Sequence, residues 1–191
     1  MEALLAGLLI FLGAHSVRIV APGWRERRIA QLGANGWKGL YSLVSLAGLV
    51  LIVWGYGMTR GVPELWSPPV WTRHLASLLT MVSFVLVTAA YVPKNRIKTA
   101  LGHPMVAGVK VWAFAHLISN GRAGDIVLFG AFMVWAIITF LAARRRDRAA
   151  GTRYPPGALA GDLLVVAIGL AAWALFAFDG HQWLIGVRPF G

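Results

Sequence analysis

Five histidines, at positions 15, 74, 103, 116 and 181, are the residues of this chain best suited to chemistry. His15, His74, His103 and His116 lie inside or at an end of an apolar run long enough to cross a bilayer. An ionisable ring in hydrocarbon is expensive unless something pairs with it, so each is a candidate for a functional site. The other reactive residue types are missing or misplaced. There is no cysteine, which removes disulfides, thiolate ligands and cysteine nucleophiles together. Glu64, Asp125, Asp162 and Asp179 stand at the edges of apolar runs or in loops, not well inside them. That placement argues against a carboxylate-bridged di-iron centre and against a carboxylate proton relay. No glycine-rich phosphate loop or nucleophile triad is visible.

Spacing sorts the histidines. Trp112, His116 and Asn120 are four residues apart and share one helix face. His103 and Lys110 share another, and thirteen residues set His103 about 140° from His116. One unbroken helix would not bring both rings to the same small ion. Two imidazoles from different helices suit a haem iron, because imidazole is an ordinary axial ligand and a helical bundle can house a porphyrin. His116 is the strongest candidate among them. Straight helices place His15 and His116 roughly 13 Å apart in depth, which favours His74 with His116 and, more weakly, His15 with His103. Arg18, Arg73, Lys110 and Arg122 are the cations available to propionates. The plainer reading is that these histidines hydrogen-bond between helices. His181 reads as interfacial.

The elements that must position these residues are membrane spans. The chain is 58% hydrophobic and only 13% charged, too apolar to hide in one soluble core. Apolar segments run roughly over 3–20, 39–57, 72–92, 104–120, 124–142 and 159–178. The expected fold is an all-α, polytopic membrane helical bundle of six transmembrane helices, one domain over 1–191. The fourth segment is the weakest, and a partly re-entrant course would leave five spans. The net charge of +11 reads as membrane orientation, not nucleic-acid binding. Arg18, Arg25, Arg27, Arg28 and Lys38, then Lys94, Arg96 and Lys98, then Arg144, Arg145, Arg146, Arg148 and Arg153 fall on alternate connections. Those connections are cytoplasmic by the positive-inside rule, leaving both termini on the periplasmic side of a bacterial inner membrane. Met1 is followed by Glu2 and the first basic cluster comes after the apolar run, the reverse of a secretory signal, so the first span is retained. Trp24, Trp37, Trp66, Trp71 and Trp183 fall near the expected interfaces. Ser42, Ser45 and Gly48 form a small-residue stripe for close helix packing.

Several of these segments resemble the NnrU family. They are FLGAHSVR at 11–18, GWKGLYSLVSLAGLVLIVWGYG at 36–57, HPMVAGVKVWAFAHLISNG at 103–121, LFG at 128–130 and HQWLIGVRP at 181–189. The resemblance covers essentially the whole chain. It implies a bacterial integral membrane protein associated with denitrification and nitric-oxide metabolism, with a poorly defined biochemical activity. It also implies kinship with 15-cis-zeta-carotene isomerase, a membrane enzyme with histidine-ligated haem b. Carried over residue by residue, His116 resembles an axial-ligand position and His15 the second; His103 matches the other histidine of the isomerase segment. If the protein is an enzyme, the implied reaction is haem-dependent cis–trans isomerisation of a polyene. The alternative is a cofactor-free membrane scaffold or assembly factor. Expected partners are membrane lipids, a hydrophobic polyene or nitric-oxide-pathway membrane proteins.

Overall fold

The computed structural model describes residues 1–190. Its elements are α1 (Glu2–Val20), α2 (Pro22–Gly57), α3 (Val70–Tyr91), α4 (Arg96–Leu101), α5 (Pro104–Ser119), α6 (Ala123–Ala149) and α7 (Leu159–Leu175). A π-helical turn, Phe176–Gly180, then leads into α8 (His181–Ile185). The only β feature among the described residues is an isolated bridge between Glu64 and Arg122. Helix is what an apolar chain must form in lipid, because each span then pairs its own backbone groups. Five helices are long and apolar enough to cross a membrane: α1, α2, α3, α6 and the stretch Leu159–Ile185. The protein is therefore an all-α, polytopic membrane protein. The fourth expected segment forms α5, with 16 residues. At 1.5 Å per residue that is about 24 Å, short of the ~30 Å hydrocarbon core.

The chain divides into two compact units. The first comprises Met1–Leu65 with Arg122–Ala131, and its framework is the antiparallel pair α1–α2. Glycines let these two backbones touch. A Cβ on Gly48 would sit 2.8 Å from the Phe11 nitrogen, one on Gly7 would sit 2.6 Å from the Ile52 nitrogen, and one on Gly55 would run into the Leu4 backbone. Contact this close is how helices associate in lipid, where apolar burial drives little. Of the expected small-residue stripe, Gly48 packs while Ser42 is exposed. Leu9 and Leu43 are 76% and 67% exposed, the outward apolar faces that lipid would cover.

The segment 21–38, expected as a loop, is helical. Pro22 occupies the first helical position, and Arg, Glu, Ala, Gln and Leu then favour helix to Leu32. Gly33, at φ 72° and ψ 165°, breaks that helix before the apolar part of α2 begins. The break leaves Trp24 edge-on to Trp37, centroids 5.9 Å apart.

The second unit comprises Trp66–Gly121 with Phe132–Gly191, described to residue 190. Here α3 packs against α5 and α7. Ser83 Oγ donates to the Gly108 carbonyl oxygen at 2.8 Å, and a Cβ on Gly169 would sit 2.8 Å from the Val85 Cα. Ala89, Val92 and Val165 form the buried apolar cluster beneath. Asn95 organises the α3–α4 corner: its Oδ1 caps Lys98 N, and its Nδ2 donates to the Ala89 and Val92 carbonyls.

Gly48→Leu should drive the α1 and α2 backbones apart and cost at least about 3 kcal/mol, the upper end for overpacking. Gly39→Leu is the matched control, because a Cβ at Gly39 meets nothing within 4 Å. Thermal unfolding in detergent, followed by loss of the monodisperse species, should separate the two variants clearly.

Candidate functional site

His116 lies on α5, half-buried, with its Nδ1 2.8 Å from the Trp112 carbonyl oxygen. Only a protonated nitrogen can bond a carbonyl oxygen, so Nδ1 donates, and in a neutral ring the lone pair then lies on Nε2. The Trp112 ring flanks the imidazole, centroids 5.1 Å apart, and is itself braced edge-on by Phe132 at 5.4 Å. Asn120 does not reach the imidazole. It ends α5 as its C-cap, donating from Nδ2 to the His116 carbonyl oxygen at 2.9 Å and to Ser119 Oγ at 3.2 Å.

His15 on α1 repeats the arrangement in the first unit. Its Nδ1 stands 2.7 Å from the Phe11 carbonyl oxygen, the Phe11 ring stacks on it at 4.2 Å, and Tyr41 approaches at 5.2 Å. Both histidines thus obey one local rule, an aromatic residue four positions earlier supplying carbonyl and ring. A helix carbonyl or carboxylate on one ring nitrogen is also the usual partner of a metal-ligating histidine, since it orients the other nitrogen. Arg18 sits in the last turn of α1. Together with His15, Arg25, Trp37 and Tyr41 it lines a recess of about 290 Å³.

His103 is differently placed. Its Nε2 lies 2.8 Å from Asp147 Oδ2 and 3.3 Å from the Tyr154 hydroxyl, while Tyr154 donates to the same Asp147 oxygen at 2.8 Å. The connection after α6 carries Tyr154 back: Thr99 Oγ1 donates to the Pro155 carbonyl, and Ala158 N to that of Lys94. Gly102, at φ 72°, makes room, since a Cβ there would sit 2.8 Å from the Tyr154 ring. Lys110 places its Nζ over the Phe140 ring, 4.1 Å from the centroid. The Phe140 ring also meets His103 edge-on at 6.3 Å. His74 is exposed on α3, on the side away from the buried Thr72 and Ser83. His181 bonds the Val187 carbonyl oxygen through Nδ1 at 2.7 Å.

Asp147 and Tyr154 are absent from the sequence-level candidates, and the available signal is slight. Asp147 is hidden in an arginine run that reads as solvated, and Tyr154 in a turn. Arg25, Trp37 and Tyr41 are likewise drawn in only by the α2 break. Among the described residues, no three His, Asp or Glu side chains gather as a metal-ligand group.

Helical spans with half-buried, orientation-locked imidazoles place the chain among multi-pass membrane proteins with intramembrane histidines. It belongs to the NnrU family, whose model matches residues 3–189, nearly its whole length. No curated protein and no solved structure matches it.

Burial first, and then the hydrogen bond to the Asp147 carboxylate, raise the Tyr154 phenol above its ordinary value of about 10. The folded state therefore holds that proton more tightly than the unfolded chain does. This contribution to stability is complete below pH about 10 and is lost as pH rises through the folded value. Tyr154→Phe should cost about 1 kcal/mol at neutral pH. It should also flatten the alkaline fall in melting temperature, measured on both proteins across that range.

Proposed function

We propose that this NnrU-family protein binds haem b in the bacterial inner membrane and serves nitric-oxide metabolism, with His116 as an axial ligand. The observation that carries the reading is the Nδ1 bond from His116 to the Trp112 carbonyl, which leaves Nε2 as the lone-pair nitrogen. A macrocycle-held iron needs only one or two imidazoles from protein, whereas a bare ion needs three or more side chains. The donor set fits the former. When bound, haem would supply an iron able to exchange one electron or bind a small diatomic ligand. The residues themselves orient and enclose: Trp112, braced by Phe132, flanks the His116 ring, and Lys110 keeps a cation on the same helix for a propionate. Polyene isomerisation is the reaction that kinship with the carotene isomerase would add.

The test is the absorption spectrum of detergent-purified protein from haem-replete cells, oxidised and dithionite-reduced. A stoichiometric b-type spectrum is expected, and His116→Ala should lose it or turn it high-spin. His15→Ala and His74→Ala, recorded alongside, identify the second ligand as the one whose loss converts low-spin to high-spin. A well-folded protein without haem would sink the reading and leave a membrane scaffold in its place.

The same proposal includes six spans, α5 being the short fourth, with both termini periplasmic; the alternation of basic connections supports this. With no native cysteine, single-cysteine variants report sidedness cleanly. Gln31→Cys should react with an impermeant maleimide only after the inner membrane is opened, and Pro63→Cys before it is opened.

A further inference from the structure

The recess at the α1–α2 corner has an electrostatic problem that its own chain does not solve. Arg18 and Arg25 both line it, on either side of the non-helical Ala21 that ends one helix and opens the next. Arg25 is half-buried. Among the described residues no carboxylate lies within ion-pair distance of either guanidinium. Arg18 is exposed beside it, and withdrawing part of the Arg25 cation from water without an anion is unfavourable, so the pair is suited to a negative charge from outside the chain. Depth and lining narrow its source. The apolar length of α1 ends at Val20, so Arg18 stands where hydrocarbon gives way to headgroups. Trp37 and Tyr41 offer the amphipathic rings that settle at that level. About 290 Å³ is at the small end for ligand pockets; it suits a phosphate and its glycerol, and is tight for a macrocycle. Arg27, Arg28 and Lys38 surround the corner with further positive charge, against the single acid Glu26.

We propose that this recess is a specific site for the headgroup of an anionic phospholipid. Arg18 and Arg25 clamp its phosphate, and Trp37 and Tyr41 flank the glycerol. Guanidinium forks match phosphate oxygens two at a time, which a bilayer's zwitterionic lipids satisfy less well because they carry their own cation. The proposal is independent of haem.

Native mass spectrometry of the full chain in detergent tests it, titrating phosphatidylglycerol against phosphatidylcholine with identical acyl chains. The expected result is one tightly held phosphatidylglycerol. Its affinity should fall roughly 30-fold in Arg18→Gln/Arg25→Gln, the loss of two cationic contacts near a membrane surface, and fall much less in Arg27→Gln/Arg28→Gln, which removes only surrounding charge. Arg18→Lys/Arg25→Lys keeps the charge and should bind with intermediate strength, which guards against a glutamine pair that misfolds. Equal binding of both lipids, or full retention in the glutamine pair, overturns the proposal. Displacement of the lipid by excess inorganic phosphate also overturns it, in favour of a free-anion site. Haem lost from the glutamine pair with phosphatidylglycerol binding intact would overturn it in favour of a propionate site.

Discussion

A bilayer supplies no water to satisfy a polar atom, and much of this structure follows from how its spans meet that constraint. Each span pairs its own backbone, and several of the polar side chains on it turn back to carbonyls three or four residues earlier. Ser16 bonds Leu12, Thr80 bonds Ser77, and Ser119 bonds Ala115. His15 and His116 use the same device with Phe11 and Trp112. For a hydroxyl this merely hides a donor. For an imidazole it does more, because a carbonyl on Nδ1 fixes which ring nitrogen carries the proton.

Carboxylates obey the complementary rule and collect at helix ends. Asp125, in the first turn of α6, accepts from Tyr56 and from the Arg122 backbone, so it caps that helix while nearly buried. Asp162 pairs with Arg96 through both side chain and backbone. Asp147 holds His103 and Tyr154 together. These pairs tie a helix terminus to a neighbouring element. The Asp147 and Asp162 pairs anchor the second unit's connections, whereas Asp125 belongs to the first unit.

Much of this was legible from residue order. The apolar runs over 72–92 and 104–120 match α3 and α5 to within two residues, and each of the other runs falls within a helix or its direct continuation. The helix over 22–32 was not read as one, because its charge suggested a loop; local propensity and Pro22 prevail there. His103 looked like a ring open to a cofactor, yet a carboxylate 44 residues later meets it. Asn120 shares a face with His116 by spacing, but it leaves the helix and caps instead. For His103 the partner was unreadable, and for Asn120 the helix ends before its spacing can apply.

What the sequence by itself determined is everything that depends on period, hydropathy and neighbours within one helical turn. That includes the spans, the shared face of Trp112 and His116, and membership of a family matched from end to end. Tertiary structure decided what depends on chain return: the close approach at Gly48, the recess joining Arg18 to Arg25, and the meeting of His103 with Asp147 and Tyr154. The physical reason is range. Helical hydrogen bonds act over four residues and are written in order, whereas contacts between separate segments depend on how glycines, breaks and loops fold them together.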